Sequence, residues 1–278
     1  MRHNEPGPAG EGERTHPTHP AYSDEEVQRI VEQFHRDGYY FFGEVLTPEE
    51  VSTLRETIER KYADPRMHDE EGDHIRGTSL MRMFEYDRSF RALIVREPFV
   101  SLAEAILGKD CHMMSQNALR YKPGQGGGWH VDDRIHFPLP EDIPRHPPRI
   151  TLPCFIINVL IPLIDIETID DGPTQLVPGS HQSGRRPPTQ DNPTFDGQGA
   201  VSLFTKAGGA YMFNSQIWHR GTPNKNRIRS MASVVYSQRI IAQRLYPFID
   251  YRMPEHIFEG ADERLQRLLG RHKKGAYG

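Results

Sequence analysis

The sequence predicts a mainly β protein, a β-sandwich or jelly roll with a helical layer on its N-terminal side and a short C-terminal helix. Three observations predict it. Helical periodicity is confined to roughly the first hundred residues and a short stretch near the end. From His112 to Ser237, short runs rich in β-branched and aromatic residues alternate with Pro/Gly turns. The chain has 278 residues, 36% of them hydrophobic, enough to bury a substantial core in one domain.

Residues 1–20 are rich in Pro, Gly, Glu and His and have little to bury. They are expected to form a disordered tail, leaving 21–278 as a single domain. Ser23-Asp24-Glu25-Glu26 is a capping box, and Val27, Ile30, Val31 and Phe34 then recur at helical spacing up to Gly38. A short strand is expected over 39–45. Thr47-Pro48-Glu49-Glu50 opens a second helix with Val51, Leu54 and Ile58 on its apolar side. A third helix is expected over 99–107. Strands are expected over 112–121, 150–164, 175–177, 200–204, 210–213 and 231–237. A helix over 261–269 closes the pattern, and no internal repeat is present.

Composition narrows the function. Lys plus Arg total 34 against 38 for Asp plus Glu, a net charge of −4, with no concentrated basic face for nucleic acid. The two cysteines, Cys111 and Cys154, form no paired motif, which argues against a disulfide framework and a Cys-rich zinc site. No apolar run reaches membrane-spanning length and no signal-peptide core opens the chain. A soluble, cytoplasmic protein acting on a small molecule is the expectation.

The residues that carry chemistry are His130-Val131-Asp132, the distant His219, and Arg229. Two imidazole nitrogens and one carboxylate occupy one face of an iron(II) ion and leave three positions open. The same short pattern occurs at His35-Arg36-Asp37, and as His-x-Glu at His3 and His68. Geometry separates them: residues two apart diverge on a helix, where His35 falls, but share a face on a strand. His130 follows a strand-like run and a Gly-rich turn, so its pair can converge on one ion. The turn itself, Pro123 to Gly128, lacks the last glycine of a dinucleotide fingerprint and the Lys-Ser/Thr of a phosphate loop. His35-Arg36-Asp37 also fails as a kinase fragment, because Phe42 stands where a metal-binding Asn belongs. An arginine near the metal face, such as Arg229, can hold the far carboxylate of a bidentate 2-oxo acid.

Together, His130-x-Asp132, Val177-Pro178-Gly179-Ser180-His181 and Trp218-His219-Arg220-Gly221-Thr222-Pro223-Asn224 through Arg229 resemble phytanoyl-CoA dioxygenase-like enzymes. The segment from Gln33 to Glu50 is also similar, and the resemblance covers roughly 23–245. It implies a double-stranded β-helix (jelly roll, cupin-like) and iron(II)/2-oxoglutarate-dependent oxygenation, with molecular oxygen as co-substrate and succinate and carbon dioxide as products. Carried over, His130, Asp132 and His219 are the metal ligands, with Asp133 and His181 as competitors. Arg229 is the residue that pairs with 2-oxoglutarate. It lies one residue earlier than the family pattern, which here falls on Ser230, and Arg227 is the competitor. The strand before the metal motif offers Gln116 and Arg120 on one face as cosubstrate or substrate contacts. Asn117, Leu119 and Tyr121 lie on the other face. Thr174 is a further candidate donor to 2-oxoglutarate, and His136 and Arg134 are candidate substrate contacts. Trp129 and Trp218 are expected to pack the core. Asp132 disfavours halogenation, since related halogenases lack that carboxylate.

The expected reaction is hydroxylation of a C–H bond in a small polar metabolite, with desaturation, epimerisation or cyclisation open on the same iron. Arg134, Arg145, His146, Arg149, Arg185 and Arg186 could form a lid over an anionic substrate or be solvated loop charges. Two alternatives remain: a cupin-like metal enzyme that uses no 2-oxoglutarate, and a non-catalytic jelly-roll ligand-binding module. Activity without a 2-oxo acid marks the first. Ligand binding that survives His130→Ala marks the second.

Overall fold

The computed structural model describes residues 22–68, 73–245 and 251–273. The expected tail 1–20, with His3, His16 and His19, lies outside the described residues. Helix α1 (Asp24–Asp37) begins where the sequence places it, with Ser23 and Glu26 each accepting from the other's backbone N–H. It ends at Gly38, whose φ of 82° requires a residue without a Cβ; a Cβ there would also lie 2.5 Å from His181 Nδ1. Strand β1 (Tyr39–Glu44) follows, then α2 (Pro48–Ala63), which repeats the capping box through Thr47 and Glu50. A hairpin of β2 (Ile75–Arg76) and β3 (Ser79–Leu80) and two short helices, α3 (Met83–Tyr86) and α4 (Arg88–Ala92), were not expected. Each is too short to leave a periodic signature. Helix α5 (Phe99–Leu107) completes the N-terminal layer.

The β region comprises β4 (His112–Tyr121), β5 (Ile156–Pro162), β6 (Thr174–Leu176), β7 (Val201–Leu203), β8 (Gly209–Asn214), β9 (His219–Gly221) and β10 (Arg229–Ser237). Helix α6 (Glu263–Leu268) follows. The strands form two antiparallel sheets, one ordered β1-β8-β5-β10-β4-β3-β2 and the other β7-β6-β9. Two packed antiparallel sheets with a helical layer on one side confirm the jelly-roll expectation. Among the described residues no helix is long and apolar enough to cross a membrane.

Strand alternation gives the large sheet two different faces. Ala118, Val159, Met212, Ala232, Val234 and Tyr236 pack against the helices in the main core with Phe34, Leu54, Ile58 and Phe99. Tyr211, Phe213 and Met231 face the other way and meet Leu176 and Leu203 of the small sheet. The register pairs Arg229 with Tyr121, Met231 with Leu119 and Ser233 with Asn117, so these residues share the face between the sheets.

Strand β9 was not expected, most other element ends fall within one or two residues of expectation, and three differences bear on the site. The strand expected over 150–164 starts only at Ile156, because Pro153 lacks the N–H group a ladder needs. Arg229 and Ser230 belong to β10 and are not part of the preceding turn. His130-x-Asp132 is not a ladder strand: His130 makes one bridge to His219, at the edge of β9 away from β6.

Candidate metal centre

The segment around His130 is extended because backbone bonds hold both ends of the motif. His130 N–H donates to His219 O at 2.9 Å, His219 N–H returns to His130 O at 3.0 Å, and Asp132 N–H donates to Ser215 O at 3.1 Å. The bridge sets the two imidazoles side by side, with ring centroids 4.3 Å apart. Asp132 Oδ1 lies 3.5 Å from His130 Nε2 and 3.4 Å from His219 Nε2. One ligating atom from each residue lies within 4.8 Å of the other two, and no other such set of His, Cys, Asp or Glu occurs among the described residues.

The hydrogen bonds behind the cluster decide which atoms are free. His130 Nδ1 lies 2.8 Å from Gly128 O and His219 Nδ1 lies 2.9 Å from Ile217 O. Each Nδ1 therefore carries the proton and leaves the Nε2 lone pair for a metal. Asn158 on β5 donates to Asp132 Oδ2 at 2.7 Å. Burial by itself would raise the Asp132 pKa, but attraction and hydrogen bonding from His219 and His130 outweigh it and hold the carboxyl well below the usual range. The bond to Asp132 raises His130. Two imidazole nitrogens and an ionised carboxylate converging on one point suit iron(II).

Asp133 points elsewhere, accepting from Arg244 Nη2 at 2.6 Å and from Arg134 N–H at 2.8 Å. His181 is likewise remote from the cluster. Its Nε2 donates to His35 O at 3.0 Å, tying the Pro-Gly-Ser-His turn to the end of α1, and burial pulls its pKa down to about 4. A neutral folded-state histidine of this kind stabilises the fold fully above the unfolded pKa of about 6.5, and that stability is lost as pH falls toward 4. In that window His181 is expected to contribute a slope of about 1.4 kcal/mol per pH unit. Urea unfolding of wild type and His181→Gln across that window should differ in slope; parallel curves would refute the assignment.

Arg229 lies at the opposite end of the inter-sheet space. It is only 1% exposed, its Nη1 donates to Thr222 O at 3.0 Å, and its guanidinium lies 4.2 Å from the Tyr121 ring centroid. Burial lowers its pKa, although an arginine stays charged. Its Nε has no partner, and no carboxylate of the described residues pairs with it. A Cβ at Gly172 would sit 2.6 Å from Nη1, so glycine there leaves room for the guanidinium. Beside it, the Tyr211 hydroxyl donates to Thr174 Oγ1 at 2.6 Å. A buried cation without a counter-charge is costly, and an anionic ligand is the natural complement. Arg227, by contrast, is an outer-loop residue that reaches Asp165 O and, at 3.0 Å, Asp171 Oδ1.

Two candidates lie on the wrong face. Gln116 and Arg120 share the helix-facing side with Ala118, opposite to Tyr121 and Arg229. Arg120 binds Glu59 of α2 at 2.9 Å and lies 4.0 Å from the Tyr62 ring centroid. Gln116 is fully buried there. The parity was legible, but which parity faces inward was not, since both sides of this strand are covered. His136 sits at the rim beside Phe155, ring centroids 5.3 Å apart, while Arg134 is exposed and anchored only through its backbone. Trp218 is buried against Phe195, and Trp129 packs more loosely beside it, as expected. The lid reading is corrected in part. Arg145 pairs with Asp196, and Arg185 grips the carbonyls of Pro140, Ile143 and Pro144, so both are structural. His146 donates to Phe137 O at 2.8 Å. Arg149 and Arg186 are exposed. Asn158, Tyr121 and Tyr211 were missed. The signal for Asn158 was present: one amide inside Ile156-Ile157-Asn158-Val159-Leu160-Ile161.

The model of the phytanoyl-CoA dioxygenase (PhyH) family matches residues 34–231. Ectoine dioxygenase of Nocardia farcinica (strain IFM 10152) is 29% identical over 222 residues, covering 69% of this chain and 70% of that protein. Ectoine dioxygenase of Stutzerimonas stutzeri (strain A1501) is 29% identical over 161 residues, 55% of this chain and 50% of its own length. The chain thus spans about half the length of that relative. The fold matches the epimerase SnoN in complex with Fe3+, alpha ketoglutarate and nogalamycin RO, with a TM-score of 0.61 and 22% identity, covering 86% of this chain and 93% of SnoN. It also matches HygX from Streptomyces hygroscopicus with nickel and 2-oxoglutarate bound, with a TM-score of 0.61 and 16% identity, covering 80% of this chain and 90% of HygX. Since the family match takes in most of the chain, this protein belongs to the phytanoyl-CoA dioxygenase (PhyH) family.

Proposed function

We propose that the protein is a dioxygenase that hydroxylates a C–H bond of a small polar metabolite, using iron(II) held by His130, Asp132 and His219 and 2-oxoglutarate held by Arg229. The observation that carries this reading is Arg229: a buried guanidinium without a carboxylate partner among the described residues, in the same inter-sheet space as the His-Asp-His cluster. When bound, iron, 2-oxoglutarate and dioxygen supply an oxidant able to break a C–H bond, with release of succinate and carbon dioxide.

The chain's own residues arrange that chemistry. Gly128 O and Ile217 O orient the two imidazoles, and Asn158 orients the carboxylate. Arg229 presents a planar fork to the far carboxylate of the cosubstrate. Thr174 Oγ1 accepts a hydrogen bond from the Tyr211 hydroxyl, which leaves its own O–H free to donate to the same carboxylate. Leu119, Leu160 and Met231 make the space between Arg229 and the cluster apolar, which strengthens charge pairing there. Beyond the cluster, Met114, Phe155, Ile156, Val235 and Ile241 form a small apolar rim, and His136 stands beside Phe155. A compact substrate with both apolar and polar faces suits that rim, and the relatives named ectoine dioxygenase support a small-molecule substrate.

Anaerobic addition of iron(II) and then 2-oxoglutarate to metal-free protein tests the reading. A visible metal-to-ligand charge-transfer band is expected in wild type and absent in His219→Ala. No band in folded, iron-loaded wild type would sink the cosubstrate assignment.

A further inference from the structure

We infer that Asn158 is a positioning residue that commits Asp132 to binding metal through a single oxygen. The inference rests on the metal reading above and extends it to the carboxylate's orientation. Asn158 lies on β5 among Ile156, Ile157, Val159, Leu160 and Ile161, and its residue is 9% exposed. Its cross-strand neighbours are Val235 on β10 and Phe213 on β8, both apolar, so the sheet gives its side chain nothing to bind. An amide in such a place costs stability unless a specific partner offsets its desolvation. That partner is Asp132 Oδ2, at 2.7 Å.

The consequence is an asymmetry between the two carboxylate oxygens. Oδ1 faces both imidazole Nε2 atoms, at 3.5 and 3.4 Å, whereas Oδ2 is capped by the amide. A carboxylate free to swing can offer both oxygens to one ion and take up a position needed by another ligand. Bidentate 2-oxoglutarate and dioxygen together need all three positions that the two histidines and one carboxylate oxygen leave open. Asn158 therefore preserves the vacancy count, and does so from the opposite sheet, where a replacement leaves His130 and His219 untouched.

The test uses Co(II) alone, added to metal-free full-length protein, read by calorimetry and by the visible d–d spectrum. Asn158→Leu keeps roughly the same shape and removes the donor. It is expected to bind Co(II) about 10- to 100-fold more weakly than wild type, with a changed d–d spectrum. Asn158→Ser, which restores a shorter donor, is expected to fall between the two and covers the case in which the leucine variant does not fold. An unchanged spectrum and affinity in the leucine variant, or in the serine variant where only that one folds, would overturn the role of Asn158 while the metal reading stands. Failure of wild type to bind Co(II) would overturn both.

Discussion

Asp132→Ala is expected to lower turnover by at least about three orders of magnitude, whereas Asp133→Ala leaves metal binding intact. The contrast follows from where the two adjacent carboxylates point. Asp132 Oδ1 faces both imidazoles, and Asp133 is occupied by Arg244 at 2.6 Å. Loss of one anionic ligand weakens metal binding and removes charge stabilisation worth several kcal/mol, and about 4 kcal/mol corresponds to a thousandfold in rate. The substitution should not unfold the metal-free protein. Its cost is that of leaving the 9% exposed Asn158 amide without its partner, about 1–3 kcal/mol. Metal content, turnover and unfolding midpoint, measured on both variants, check the assignment. An Asp132→Ala protein that retains iron and activity would move the ligand role elsewhere.

The sequence carried most of this centre for physical reasons that differ by residue. The capping boxes at Ser23 and Thr47 are local, and they fix α1 and α2 correctly. The His-x-Asp pattern is local as well, but its strand-like geometry comes from a bridge to His219, which lies far away in sequence. Arg229 was legible as a residue type at a spacing, yet its burial depends on the register that sets it opposite Tyr121 and on the room left by Gly172. Gln116 and Arg120 show the limit of parity. Alternation separates two faces of β4, but helices cover one and the small sheet covers the other, so composition does not say which is the site. The hairpin β2–β3 and helices α3 and α4 are set by packing, since none is long enough to show a period.

Arg229→Met is expected to abolish 2-oxoglutarate binding at concentrations that saturate wild type, without lowering the stability of the ligand-free protein. Two charge-assisted bonds to the far carboxylate contribute about 1.5–3 kcal/mol each, so their loss weakens affinity by at least two orders of magnitude. Stability moves differently. In the ligand-free protein Arg229 is 1% exposed, its Nε lacks a partner and it meets no carboxylate of the described residues, so its charge is a standing cost. Replacing such a group by an apolar side chain of similar length is neutral or stabilising, because the desolvation cost disappears with it. Opposing it are the lost bond to Thr222 O and the lost contact with the Tyr121 ring, each of order 1 kcal/mol. Ligand linkage then separates the two proteins. At a hundred times its Kd, 2-oxoglutarate should stabilise iron-loaded wild type by about 2.7 kcal/mol and the variant by almost nothing. Thermal unfolding with and without 2-oxoglutarate measures both effects at once. A variant that unfolds early even without ligand would make Arg229 a structural cation, and equal ligand shifts in the two proteins would place the cosubstrate carboxylate on another residue.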